Sequence, residues 1–181
     1  MTESTTQLPT PALTGERADL LEQLGKARFF LRFTANELTD AQAVERPTVS
    51  ELCVGGLIKH VAEVEKSWFG FILEGPSAMP DFTAMTEEDW AHRLDGFNLL
   101  PGETLAGVLT DYAEVARRTD ELVATLPDLD ASHPLPKAPW FDADTDWSAR
   151  RTLLHIIAET AQHAGHADII REALDGTKSM G

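Results

Sequence analysis

The sequence has little cysteine and little basic charge. Cys53 is the one cysteine among 181 residues, which excludes a disulfide framework or a zinc ribbon built within the chain. Lys and Arg number 15 against 30 Asp and Glu, giving a formal net charge of −15 at pH 7. Because nucleic acids and anionic membrane surfaces are bound through clustered Lys and Arg, this balance argues against both as partners.

Long apolar runs are absent as well. Runs such as Phe29–Leu31 and Leu153–Ile157 fall far short of the roughly 20 residues that a membrane span needs. The first residues, MTESTTQLPTPALTGE, contain neither the basic segment nor the apolar segment of a secretory signal. We therefore expect a soluble, cytoplasmic protein.

What is present is the composition of one globular domain. Hydrophobic residues make up 43% of the chain and charged residues 25%, which excludes a disordered or low-complexity sequence. Residues 1–13 are rich in Thr, Ser and Pro and are predicted to form a flexible tail. Residues 14–181 are predicted to form a single domain, since this length can bury its own core.

Apolar residues recur at helical spacing in four long segments. These run from about Glu16 to Leu38, from a capping box at Thr48 and Glu51 to about Leu73, from about Glu103 to Leu126, and from about Ser148 to Leu174. A short helix around Trp90, capped by Thr86, is predicted in the long crossover between helices two and three. No alternating strand pattern appears. The sequence thus predicts an all-α four-helix bundle, whose sites lie between facing helices.

The fourth helix carries polar residues on its apolar face. At about 100° per residue, Ile156, Ala167, Ile170 and Leu174 all fall within roughly 40° of His163. Glu159 lies one turn earlier on the same stripe, and His155 and His166 lie on its flank. A carboxylate facing a bundle core is costly unless a cation, a hydrogen-bond network or a metal satisfies it.

Helix two presents a further imidazole, His60, between Leu57 and Val64 on its inward face. Together with Glu159 and His163 it would supply two nitrogens and one carboxylate oxygen, a set that suits zinc and also non-haem iron. The alternative to a metal is a structural network in which the Glu159 carboxylate accepts a hydrogen bond from the His163 imidazole.

His155 and His166 are predicted to support the ligands or to handle protons rather than to bind the ion. The connections over residues 75–102 and 127–147 are expected to shape a pocket beside them.

Two segments carry a family resemblance: GLIKHVAEVEKSWF, residues 56–69, and RRTLLHIIAETAQHAGHADIIREALDG, residues 150–176. They resemble the DinB-like (YfiT-like) superfamily of metal-binding four-helix bundles, in particular its actinobacterial branch with mycothiol-dependent enzymes. His60 and His163 match the family's ligand histidines. Glu159 stands where many members have His and where the mycothiol-dependent maleylpyruvate isomerase branch has Glu. His166 stands where Gln is frequent.

The resemblance implies an up-down-down-up bundle, a homodimer and a divalent metal that activates a low-molecular-weight thiol. The thiol, mycothiol or a similar compound, would undergo S-transfer to a small electrophile or assist its isomerisation. Zinc is favoured, with nickel and iron as alternatives. Since Cys53 is the one thiol of the chain, the reacting thiol would be a cosubstrate. A metal-dependent hydrolase and a non-catalytic metal or small-molecule-binding protein are the alternative functions.

Overall fold

The computed structural model describes residues 13–142 and 144–180. Apart from Leu13, the tail predicted over residues 1–13 therefore lies outside the described residues. In chain order the elements are α1 (Glu16–Phe33), α2 (Asp40–Ala43), α3 (Val54–Glu74), a 3₁₀ turn (Gly75–Ala78), α4 (Glu87–Asp95), α5 (Leu105–Thr125), β1 (Ser132–Pro134), β2 (Asp146–Ser148) and α6 (Ala149–Asp175). None of the described helices is long and apolar enough to cross a membrane.

The four long helices α1, α3, α5 and α6 form the predicted bundle, in which α1 packs on α6, α6 on α3, and α3 on α5. Their directions follow from two core clusters, each of which takes residues from all four helices. The first cluster contains Leu20, Phe71, Leu122 and Ile156, and the second contains Leu31, Leu57, Leu105 and Ala167. Helices α1 and α6 run from the first cluster to the second, whereas α3 and α5 run the opposite way. The order is therefore up-down-down-up, as expected.

Several helix ends follow directly from local sequence. The Ser148 side chain accepts a hydrogen bond from the Arg151 amide at the start of α6, and Gly176 ends that helix in the left-handed region at φ 82°, where glycine carries no Cβ penalty. In the crossover, Thr86 and Asp89 form a capping box that starts α4. The short helix around Trp90 is thereby confirmed.

Two predicted boundaries are wrong. Helix α3 begins at Val54 after Cys53, because the Thr48 hydroxyl accepts from the nearby Ser50 amide at 3.2 Å instead of capping a helix. Such local side-chain bonds compete with helix formation. Helix α1 ends at Phe33, five residues before Leu38. The chain then turns into the short helix α2, which has its own capping box at Thr39.

The connection before α6 contains two short strands that the sequence did not predict. β1 and β2 pair antiparallel, with His133 opposite Trp147. Each strand has three residues, which is too short for an alternating pattern to be recognised. This pairing fixes the segment that leads into α6.

A charged pair lies in the interior between α1 and α3. The Arg28 and Glu65 side chains are 2% and 0% exposed, and Arg28 donates from Nε to Oε2 at 3.1 Å and from Nη2 to Oε1 at 2.5 Å. Arg28 also donates to the half-exposed Asp120 carboxylate of α5 at 2.7 Å. The two charges of the pair thus satisfy each other through a bidentate salt bridge.

Candidate metal centre

Three predicted ligands come together between α3 and α6. His60 projects from α3, while Glu159 and His163 project from successive turns of α6, and one ligand atom from each lies within 4.8 Å of the others. His163 Nε2 lies 3.7 Å from Glu159 Oε2. In a tetrahedral zinc site with bonds of about 2.1 Å, ligand atoms lie about 3.4 Å apart. Small side-chain rotations would therefore close this donor set around one ion.

Glu159 and His163 are less buried than the apolar stripe of α6 predicts. The centre of its buried face is occupied by Thr160 and Ala164, and Glu159 and His163 lie beside it with side chains 30% and 13% exposed. The reason is that α6 packs against both α1 and α3, so that its buried face is broader than a single stripe. Glu159 is consequently accessible from a cavity rather than enclosed in the core.

His60 is held against an aromatic ring from the crossover. The Phe97 ring stacks on the His60 imidazole with centroids 3.8 Å apart and planes at 20°. This contact depends on Gly56 of α3, where a Cβ atom would overlap the Phe97 carbonyl. Burial and the neighbouring His163 and Arg93 lower the pKa of His60 to about 4. At neutral pH this imidazole is uncharged, the form that binds metal ions.

The two flanking histidines lie in different places. His166 Nδ1 approaches His163 Nδ1 at 3.5 Å, on the side of the ring opposite the Nε2 that faces Glu159. His155 Nε2 lies 4.0 Å from Glu159 Oε1, and its ring is held edge-on by Trp68 and Trp147. His166 therefore contacts the rear nitrogen of His163, whereas His155 reaches the cavity.

The pKa values in the site follow from these contacts. The His163 imidazole, with Nε2 3.7 Å from Oε2, lowers the pKa of the Glu159 carboxyl, whereas burial raises it. Burial lowers the pKa of His155, although the nearby Glu159 carboxylate raises it. The site thus offers an ionised carboxylate and a neutral imidazole beside it, a combination that can bind a cation and accept a proton.

A cavity of about 410 Å³ opens in front of the cluster. Its walls combine polar groups of α3 and α6 with aromatic and apolar side chains of the two long connections. The lining residues are His60, Glu63, Val64, Ser67, Trp68, Met79, Pro80, Phe82, Arg93, Trp140, Phe141, His155 and Glu159. A cavity of this size accommodates a small organic molecule.

The connections that were expected to shape a pocket form its outer wall. The Phe82 amide of the first donates to the Lys137 carbonyl of the second at 3.0 Å, and the Phe82 and Trp140 rings lie 5.1 Å apart. Phe97 and Arg93 were not identified from the sequence. Their role depends on how a long, irregular crossover folds back on α3, and no periodic pattern signals that.

The four-helix bundle, with its His/Glu cluster between α3 and α6, is that of a DinB-like protein. The family model described as mycothiol-S-transferase matches residues 19–176. This chain therefore belongs to the mycothiol-S-transferase family. No curated protein matches the chain.

Solved structures share the fold. A conserved protein from Enterococcus faecalis is 15% identical with a TM-score of 0.66, and the match covers 91% of this chain and 100% of that one. YfiT from Bacillus subtilis, described as a probable metal-dependent hydrolase with an unusual four-helix bundle topology, is 18% identical with a TM-score of 0.62 and 91% of each chain covered. At these identities the likeness shows the fold.

Proposed function

We propose that this chain is a metal-dependent enzyme that activates a low-molecular-weight thiol of the mycothiol type for S-transfer to a small electrophile, or for its isomerisation. The family assignment supports the thiol. The observation that carries the proposal is the convergence of two imidazoles and one carboxylate at a cavity of about 410 Å³. Three protein ligands leave a coordination position to which an exogenous group can bind.

In this proposal His60, Glu159 and His163 hold the ion, with zinc favoured and nickel or iron as alternatives. A divalent ion, when bound, lowers the pKa of a coordinating thiol so that the nucleophilic thiolate forms near neutral pH. Two imidazoles and a carboxylate suit zinc and also occur as ligands of nickel and iron. The same residues exist in one copy per chain, so one ion per chain is expected.

Two further histidines have separate roles in the proposal. His155 faces the cavity as a neutral imidazole beside Glu159, and it is the group we assign to accept the proton that the thiol loses. His166 contacts the rear nitrogen of His163 and would fix the orientation of that ring, as groups behind a metal ligand commonly do. The loss of His155 should lower the rate of turnover more than the affinity for metal.

The test is consumption of an electrophile by the zinc-loaded protein with and without mycothiol. We expect thiol-dependent turnover that falls by at least about 100-fold in His163→Ala, since a missing ligand removes the charge that activates the thiol. His92→Ala is the matched control, because the His92 side chain is 82% exposed and His92 belongs neither to the cluster nor to the cavity lining. Equal turnover in both variants would contradict the assignment.

A second candidate function is metal-dependent hydrolysis. The open coordination position could take water instead of a thiol, and the structurally similar YfiT from Bacillus subtilis is described as a probable metal-dependent hydrolase. The same assay separates the two functions. Hydrolysis of an activated ester or amide that needs zinc and no thiol favours the hydrolase, whereas strict dependence on the thiol favours the transferase or isomerase.

We also propose that residues 14–181 form one domain and that the protein is a homodimer. The family model covers most of this range, and the family resemblance suggests the dimer. Light scattering coupled to size-exclusion chromatography measures the mass directly, and a mass of one 19.9 kDa chain at micromolar concentration would contradict the dimer.

A further inference from the structure

The cavity beside the metal centre contains one guanidinium, that of Arg93. Among the described residues that line the cavity, Arg93 is the one Lys or Arg, and the carboxylates there are Glu63 and Glu159. Arg93 Cζ lies 5.1 Å from the centroid of the Phe82 ring. This cation–π contact orients the side chain at the cavity wall without using any of its five N–H donors.

Arg93 is an exposed residue of α4. Within the described part of the chain it forms no ion pair within 4.0 Å and no side-chain hydrogen bond. The Glu63 carboxylate at the same cavity lies against Gly96, and burial raises the pKa of that carboxyl, while Lys59 and Arg93 lower it. None of these contacts uses the N–H donors of Arg93, and a guanidinium at the wall of a cavity is suited to an anion.

The position of Arg93 relative to the ligands is fixed by the backbone. Helix α4 is started by the Thr86 capping box and ends at Asp95. The Phe97 amide then donates to the Leu94 carbonyl at 3.0 Å, and the Phe97 ring stacks on His60. One short segment therefore carries both the guanidinium and the ring that contacts a metal ligand.

Aromatic side chains form another part of the cavity wall. The Trp140 ring lies 5.1 Å from Phe82 and 6.1 Å from Phe141, and Trp68 lies 6.3 Å from Phe141. Aromatic faces of this kind pack against planar unsaturated groups. The metal ligands, the aromatic walls and the guanidinium all border one cavity of about 410 Å³.

We propose that the electrophile is an anionic, planar unsaturated molecule whose carboxylate or similar group is bound by Arg93 while its reactive carbon faces the metal centre. This inference rests on the proposed function and deepens it. Arg93 is a binding residue that selects the substrate, and it takes no part in the chemical step. Its removal should raise KM for anionic electrophiles and leave kcat unchanged.

Two electrophiles that differ in a single carboxylate test the proposal: 4-chloro-3,5-dinitrobenzoate and 1-chloro-2,6-dinitrobenzene. In each, the thiol loses its proton to a base, its sulfur forms a bond to the ring carbon, and chloride leaves with the C–Cl electron pair. With mycothiol and zinc-loaded protein, we expect a KM about tenfold lower for the benzoate, the scale of one charge-assisted contact. Arg93→Gln should abolish this preference. Arg117→Gln should keep it, because Arg117 is an exposed residue of α5 paired with Glu114, and its loss changes the net charge equally.

A binding measurement separates this proposal from the proposed function. Nitroaromatic compounds quench tryptophan fluorescence, and Trp68 and Trp140 line the cavity. Quenching by 3,5-dinitrobenzoate should give a Kd about tenfold higher in Arg93→Gln than in the wild type or Arg117→Gln. Quenching that depends on Arg93 without turnover of either chloride would contradict the proposed function and support the anion site. Turnover of both chlorides with equal KM in the wild type and Arg93→Gln would overturn the anion site and leave the proposed function standing.

Discussion

Replacing Glu65 with glutamine would leave a buried guanidinium without its principal partner. Arg28 is 2% exposed and Glu65 is fully buried, and removing one member of such a pair costs about 3 to 5 kcal/mol. The contact of Arg28 with Asp120 at 2.7 Å survives in this variant. Because Asp120 is half exposed, water weakens that contact. We therefore expect Glu65→Gln to lower the free energy of unfolding by about 3 kcal/mol, near the lower end of that range.

The reasoning also predicts how a double variant behaves. Arg28→Met with Glu65→Leu replaces both charges by apolar side chains of similar volume, and such replacements are often neutral or stabilising. Its free energy of unfolding should therefore exceed that of Arg28→Met alone and that of Glu65→Leu alone. Arg117→Met, which removes an exposed pair with Glu114, should cost less than about 1 kcal/mol.

Guanidinium denaturation followed by far-UV circular dichroism measures all of these variants. A loss below about 1 kcal/mol in Glu65→Gln would refute the argument that the pair is desolvated. A double variant less stable than both single variants would refute the argument that desolvation of the charges offsets their attraction.

Three further outcomes are expected. Phe97→Ala removes the ring that stacks on the metal-site imidazole and should weaken zinc binding by about tenfold in a chelator competition; unchanged affinity would show that the stack does not position the ligand. Gly56→Ala forces a Cβ into the Phe97 carbonyl and should cost about 1 to 3 kcal/mol in denaturation, whereas Gly25→Ala, where a Cβ meets nothing within 4 Å, should not destabilise. The hydrogen bond from Arg171 lowers the pKa of Asp175 to about 2, so its contribution to stability is present above about pH 4 and is lost as the pH falls towards 2. The difference in denaturation midpoint between pH 5 and pH 3 should therefore be smaller in Asp175→Asn, and an equal difference would exclude this linkage.

The long helices and the cluster of His60, Glu159 and His163 were predictable because they depend on local periodicity. Glu159 and His163 are four residues apart on α6, and His60 lies among apolar residues of α3, so helical geometry alone directs them to the same groove. The same periodicity also marks the buried charged pair. Glu65 falls on the apolar face of α3 and Arg28 on that of α1, which indicates a buried pair of opposite charge.

The remaining features depend on tertiary contacts. The stack of Phe97 on His60 and the place of Arg93 at the cavity are set by a crossover that folds back on α3. The contact at Gly56 that permits this packing leaves no periodic signal in the sequence. The strands around His133 and Trp147 are likewise formed by two short segments that meet only in the folded chain.

The central claim is tested most directly by measuring how many zinc ions the purified protein binds and how tightly it binds them. Elemental analysis gives the stoichiometry, and a chelator-buffered titration gives the affinity. The proposed centre predicts one zinc per chain in the wild type and in His92→Ala. The triple variant His60→Ala, Glu159→Gln, His163→Ala should retain no zinc under the same conditions, because its donor set is gone. A wild-type protein that binds no divalent ion, or a triple variant that binds zinc with wild-type affinity, would contradict the assignment of these three residues.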